Sequence, residues 1–63
     1  MKFYFYSYTV KRPLDFLLVA EGDGVADCDE NTNSGTVYRE VKKALESKNT
    51  GKVVRITYFN KVD

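Results

Sequence analysis

Hydrophobic and polar positions first predict a strand at each end of the chain. Residues 2–10 read KFYFYSYTV and are nearly all aromatic or β-branched, a composition that suits a half-buried pleated surface. Residues 53–59 read VVRITYF and alternate with a period of two, which predicts another strand that ends near Lys61. Its two faces are expected to carry Val54, Ile56 and Tyr58 on one side, and Arg55 and Thr57 on the other.

A turn and a second strand are predicted after the first strand. Pro13 lies within residues 11–15, and proline supplies the φ angle that the second position of a type I or II turn requires. The apolar run at residues 16–20 is too short for a typical helix, so it predicts a strand that forms a hairpin with the first. Residues 21–35 are rich in Asp, Glu, Asn, Thr and Gly and predict a long loop.

Residues 36–48 carry the spacing of an amphipathic helix. Their apolar side chains recur at helical intervals, and charged side chains occupy the other side. The apolar stripe consists of Val37, Tyr38, Val41, Ala44 and Leu45. Ser34 is the predicted N-cap, and Asn49 or Gly51 is predicted to end the helix.

Three strands and one helix predict an α+β fold of ββαβ type, with residues 1–63 as a single domain. The simplest arrangement is a three-stranded antiparallel sheet in the order 2-1-3, with the helix on one face. The helix would pack Val37, Tyr38, Val41 and Leu45 onto a face that includes Val54, Ile56 and one of two rows of the first strand. One row, the phenylalanine row, contains Phe3 and Phe5, and the other, the tyrosine row, contains Tyr4, Tyr6 and Tyr8. The sequence leaves open which of the two rows is buried.

Composition argues against several classes of function. The chain of 63 residues has no histidine and one cysteine, Cys28, so the commonest catalytic base, the commonest zinc ligand and an internal disulfide are all missing. We therefore expect a protein that is not an enzyme and that needs no metal or other cofactor. The first ten residues lack the pattern of a signal peptide, so we expect a soluble cytoplasmic protein without a membrane partner.

Charge is unevenly distributed although the net charge is only +1. Residues 15–30 hold six acids and no base, and all ten bases lie elsewhere. The acids are Asp15, Glu21, Asp23, Asp27, Asp29 and Glu30. Such a chain has no overall field that favours nucleic acid, but it can present a local basic face.

One segment partly matches a calcium-binding loop. Asp29, Asn31 and Asn33 occupy positions 1, 3 and 5 of the EF-hand pattern, and Glu40 occupies position 12. Position 6 is Ser34 where the pattern requires a glycine for a sharp turn. A solvated acidic loop followed by a helix explains the same residues, so no metal site is predicted.

The first strand predicts a sheet with two apolar faces, because Phe3 and Phe5 lie on one side and tyrosines lie on the other. One helix covers only one face, and a row of exposed aromatic rings would bury well against another protein. The predicted binding surface consists of Tyr4, Tyr6, Tyr8, Arg55 and Phe59. Its expected partner is a second copy of the chain, as a homodimer, or a host protein.

Single-stranded nucleic acid is the alternative partner. Bases stack on aromatic rings that project from a sheet, while Lys and Arg hold the phosphates. The chain lacks the glycine and aromatic signature of an RNA-recognition motif and its net charge is close to zero, so this alternative ranks second.

The two ends of the chain support a resemblance. Residues 6–11, YSYTVK, and residues 54–60, VRITYFN, resemble the ends of small uncharacterised bacteriophage and prophage proteins, which have a tyrosine-rich first strand, a central helix and a hydrophobic strand near the C-terminus. The resemblance implies a phage or prophage origin and a bacterial cytoplasmic setting. It transfers no functional residues.

Overall fold

The computed structural model describes residues 1–62, which form three strands and one helix. The elements are β1 (Lys2–Lys11), β2 (Leu18–Cys28), α1 (Ser34–Lys48) and β3 (Val53–Val62). The strands make one antiparallel sheet in the order β2-β1-β3, so the aromatic strand is central. Helix α1 packs on one face of this sheet. The predicted α+β fold of ββαβ type and its strand order are confirmed.

Strand β2 is longer than predicted and begins later. It runs from Leu18 to Cys28, so the predicted strand at residues 16–20 is wrong at its start and the predicted loop at 21–35 is wrong over its first half. The stretch pairs with β1 because small residues on β2 lie opposite tyrosines, for example Ala26 opposite Tyr4. The acids between these small residues point away from the helix and stay solvated.

The β1–β2 hairpin turns in the segment that contains Pro13, where a turn was predicted. The amide of Arg12 donates to the carbonyl of Leu17 at 3.0 Å, and the amide of Phe16 donates to the carbonyl of Arg12 at 2.8 Å. Phe16 has φ +56°, a left-handed conformation that is uncommon outside glycine, asparagine and aspartate. The strand ladder therefore resumes only at Leu18.

Helix α1 begins two residues before its predicted start at Thr36, and its N-cap is not the predicted Ser34. The side chain of Asn33 accepts a hydrogen bond from the amide of Thr36 at 2.9 Å and satisfies one of the unpaired first-turn donors. Asn49 caps the other end, and the next turn passes through Gly51 at φ +81°. Asn49 ends the helix at φ −125°, which is not left-handed, whereas Gly51 takes the left-handed conformation that was predicted for one of the two residues.

The tyrosine row of β1 faces the helix, which answers the question that the sequence left open. Tyr4 and Val10 are buried, together with Val37, Val41, Leu45 and Val54. Tyr6, Tyr8 and Ile56 are half-buried against this core. The phenylalanine row therefore lies on the helix-free face, and Phe3 is 43% exposed.

A β-bulge in β3 changes which residues share a face. Ser7 pairs with Tyr58, whereas the next residue, Tyr8, pairs with Ile56, so Thr57 is the extra residue. The predicted common face of Val54, Ile56 and Tyr58 is wrong for Tyr58. Beyond the bulge, Tyr58 lies on the helix-free face and Phe59 turns toward the helix.

Candidate functional site

The structure divides the predicted binding surface between the two faces of the sheet. Tyr4, Tyr6, Tyr8 and Phe59 lie on the side that the helix covers, whereas Arg55 pairs with Thr9 on the opposite side. Tyr4 is only 5% exposed. The five residues therefore do not form one exposed surface, because α1 packs its valines and leucine on the tyrosine row.

Phe59 belongs to the core rather than to an open surface. Its ring stacks on that of Tyr4, with centroids 5.0 Å apart and planes inclined by 10°. Tyr38 of α1 meets the same ring edge-on at a centroid distance of 5.4 Å. These three rings close the space between α1 and β3.

Tyr6 and Tyr8 lie across two glycines of β2. A Cβ atom built on Gly24 would lie 2.5 Å from the hydroxyl oxygen of Tyr6, and one built on Gly22 would lie 2.7 Å from that of Tyr8. No side chain larger than hydrogen fits beneath either ring in this arrangement. Both tyrosines thus cover β2 on the helix side and are not a free stacking platform.

The open face of the sheet, the helix-free side, carries an apolar cluster near one end of the strands. Phe5 and Tyr58 pack edge-on with their ring centroids 5.8 Å apart. Around them stand Val25, which is 60% exposed, and Val62, which is 46% exposed. We call Phe3, Phe5, Val25, Tyr58 and Val62 the open-face cluster.

On the open face, acidic residues lie on β2 and a basic residue lies on β3. Glu21, Asp23 and Asp27 alternate along β2 and are exposed, whereas Arg55 is exposed on β3. Glu21 and Arg55 both pair with Thr9, so they occupy the two ends of one row across the sheet. Two strand spacings put their backbones about 10 Å apart, and within residues 1–62 no ion pair joins their side chains.

A cleft of 220 Å³ lies between β2 and α1. Its apolar wall includes Tyr6, Ala26, Val41, Ala44 and Leu45, and Cys28 also lines it. Three charged residues lie in its lining, namely Asp27, Glu40 and Lys48. The cleft opens beside the strand that forms one edge of the sheet.

The hairpin tip presents apolar side chains on a hydrogen-bonded loop. Leu14 is 95% exposed and Phe16 is 62% exposed. One carboxylate oxygen of Asp15 accepts from the amide of Leu17 at 3.0 Å, and the other accepts from the guanidinium of Arg12 at 2.7 Å. The Leu17 amide and then Arg12 hold the pKa of Asp15 below its ordinary value.

The structure assigns other positions to two residues of the calcium-like pattern. Asn33 caps α1 through its side chain, and Glu40 is exposed on the helix. Within residues 1–62, no three His, Cys, Asp or Glu side chains are grouped so that they could hold a metal ion.

Sequence reasoning missed the part that β2 contributes to both surfaces. The usable signal was an alternation with a period of two from residue 21 to residue 28, EGDGVADC, in which small residues occupy every second position. Glycine and aspartate are depleted in strands, so composition favoured a loop. Only pairing with the tyrosines makes these glycines part of a sheet.

Comparison with known proteins identifies no relative of this chain. No family model, no curated protein and no solved structure matches the chain. Within the described residues, the helix is not long and apolar enough to cross a membrane. The protein has a ββαβ fold in which the helix covers one face of the sheet and leaves the other uncovered.

Proposed function

We propose that this chain is a non-enzymatic binding protein that acts through the open face of its sheet, and that the partner on this face is a second copy of the chain. The observation that carries the proposal is the open-face cluster: Phe3, Val25, Tyr58 and Val62 are exposed in the single chain, and Phe5 among them is half-buried. A sheet whose second apolar face is uncovered is stabilised when another layer packs on that face, and exposed apolar patches mark interaction sites.

The charge pattern favours a second copy over an unrelated partner. A two-fold axis parallel to the strands would place β2 of one copy opposite β3 of the other and keep the same ends of the strands together. Glu21 would then face Arg55 of the second copy, because both residues lie in the row of Thr9. The same operation places Phe3 and Phe5 of the central strand opposite the same residues of the second copy, as an isologous interface requires.

The size of the face predicts a weak dimer. Three strands about 4.8 Å apart and about 30 Å long offer an area on the order of 450 Å² per copy, or about 900 Å² in total. That total lies below the range of about 1,200–2,000 Å² found for stable complexes. Association should therefore depend on concentration in the micromolar range or above.

Light scattering coupled to size-exclusion chromatography, run over a series of concentrations, tests the proposal. We expect a concentration-dependent dimer that Phe5→Lys abolishes. Arg55→Glu and Glu21→Arg should each weaken it, because each places like charges opposite one another. The double variant carrying both changes should dimerise like the wild type, since the pair is restored with its signs exchanged.

Two results would contradict the second copy as the partner. One is a monomer at every concentration up to the millimolar range. The other is a dimer that tolerates Phe5→Lys, because such a dimer uses another surface.

Single-stranded nucleic acid remains the second candidate, supported by the exposed rings of Phe3 and Tyr58 and by Arg55 on the same face. Against it stand Glu21, Asp23 and Asp27, whose carboxylates would repel phosphates. An oligonucleotide titration decides between the two: base stacking requires binding that weakens with salt and with Phe5→Ala. Tyr6→Ala, the substitution that a tyrosine platform would suggest, tests packing instead, because Tyr6 covers Gly24.

The remaining parts of the proposal rest on the sequence. Its lack of histidine supports a function without catalysis or cofactor. A phage or prophage origin, a cytoplasmic setting and, as the other partner, a host protein are proposed on the resemblance of the two ends of the chain.

A further inference from the structure

The outer edge of β2 has unpaired backbone groups along its length. This strand has 11 residues and only β1 as a neighbour. Within residues 1–62, no backbone hydrogen bond outside the sheet ladder involves residues 18–28. Every second residue of an antiparallel edge strand points its N–H and C=O groups outward, so β2 offers a template for another strand.

The cleft between β2 and α1 adjoins this edge. A strand added beside β2 would place alternate side chains on the helix side, over Ala26, Ala44 and Leu45, which line the cleft. At the other edge of the sheet, formed by β3, the corresponding space under α1 is filled by Tyr38, which packs against Phe59. The two edges are therefore not equivalent, because among residues 1–62 the edge of β2 combines unpaired backbone groups with an adjoining apolar cleft.

The acidic side chains of β2 favour basic side chains at the other positions of such an added strand. Those that point to the open face would lie next to Glu21, Asp23 and Asp27, all of which are exposed. No lysine or arginine occurs between Arg12 and Arg39 in the sequence. The same acids disfavour pairing of β2 with β2 of another copy, because like charges would face one another.

We propose that the edge of β2 and the adjoining cleft form a binding site for an extended peptide segment in which basic residues alternate with apolar residues. The peptide pairs with β2 as a fourth strand, its apolar side chains enter the cleft, and its basic side chains lie beside the acids of β2. This mode is β-strand addition, in which backbone hydrogen bonds supply affinity and alternate side chains supply specificity.

The size of the cleft favours a peptide over a small-molecule ligand. Its volume of 220 Å³ is below the range of about 300–1,000 Å³ that is usual for small-molecule sites. One or two aliphatic side chains fill such a space. The rest of the binding free energy must therefore come from the strand ladder.

The test uses a synthetic seven-residue peptide of alternating arginine and valine. Isothermal titration measures its affinity, and amide hydrogen exchange followed by NMR locates the site. Binding should slow the exchange of amides in β2 and leave those in β3 unchanged. A peptide of the same sequence with N-methyl groups on alternate backbone amides keeps its charge but loses ladder hydrogen bonds, so it should not bind.

Two pairs of protein variants separate the cleft from general electrostatic attraction. Ala44→Phe fills the cleft and should weaken binding about tenfold, whereas Ser47→Phe, at an exposed helix position that does not line the cleft, should have no effect. Asp27→Lys should weaken binding more than Glu46→Lys, although both change the net charge equally. Arg55→Glu, which weakens the proposed dimer, should bind the peptide as the wild type does, so this test stands apart from the open face.

Absence of binding at millimolar peptide would overturn the inference. Equal binding of the N-methylated peptide would also overturn it, because the contact would then be electrostatic only. So would binding that Ala44→Phe leaves unchanged, since the cleft would then hold no side chain.

Discussion

The ring of Tyr6 lies across Gly24 of the neighbouring strand, so closely that a Cβ on Gly24 would be 2.7 Å from the ring carbon Cζ. The contact explains why a segment rich in glycine and aspartate forms a strand. An aromatic ring that covers a cross-strand glycine shields the exposed backbone and supplies the packing that the glycine lacks.

Gly24→Ala should therefore destabilise the protein by about 1–3 kcal/mol, because the ring must leave its position or the strand must shift. Chemical denaturation measures the change. In a Tyr6→Val background the same substitution should cost nothing, since the ring is absent. Gly35→Ala is the matched control: its new Cβ would meet only Asn33 Oδ1, at 3.4 Å, and alanine favours the helix. Equal losses at Gly24 and Gly35 would contradict the packing account.

The two faces of β1 can be distinguished by adjacent substitutions. Tyr4→Ala should cost about 3–5 kcal/mol, because it removes a buried ring that stacks on Phe59. Phe3→Ala, one residue away on the open face, should cost less than about 1 kcal/mol in the monomer. Denaturation at low protein concentration compares the two. A larger loss for Phe3→Ala would mean that the helix covers the other face.

The left-handed conformation of Phe16 predicts a stabilising substitution. At φ +56° a side chain with Cβ is strained, and asparagine tolerates this region better than phenylalanine does. Phe16→Asn should raise the free energy of unfolding by about 1 kcal/mol, because the exposed ring contributes little burial. Leu17→Asn, at the next exposed position, should give no gain. Thermal unfolding of both variants checks this, and an equal response would count against strain at Phe16.

The hydrogen bonds to the Asp15 carboxylate predict that the hairpin tip is sensitive to acid. Hydrogen bonds from the Leu17 amide and Arg12 lower the pKa of Asp15 in the folded protein. A lowered folded-state pKa means that this stabilisation is fully present above the unfolded-state pKa and is lost as pH falls through the folded-state pKa. Hydrogen exchange of the Leu17 amide should therefore accelerate, relative to the core amide of Val10, in the acid range.

Asp15→Asn should remove this pH dependence of the Leu17 amide. Asp23→Asn, which replaces an acid that is not in the tip, should preserve it. If the Leu17 amide responds to acid in Asp15→Asn as it does in the wild type, another group controls the tip.

The sequence alone determined the elements whose local pattern agrees with their final environment. The aromatic and β-branched run of residues 2–10 needs no partner to favour a strand, and the spacing of Val37, Val41 and Leu45 defines a helix stripe that the structure buries. Short connections and an antiparallel sheet then allow few topologies, so the order of the strands followed.

Tertiary structure decided everything that depends on contact between distant residues. Gly22 and Gly24 belong to a strand only because tyrosines lie across them, and local propensity carries no trace of that contact. The bulge at Thr57 exchanges the faces of Tyr58 and Phe59, because one extra residue reverses an alternation with a period of two. The choice between the two rows of β1 likewise required the helix, since both rows are apolar and only packing against α1 distinguishes the buried face from the open one.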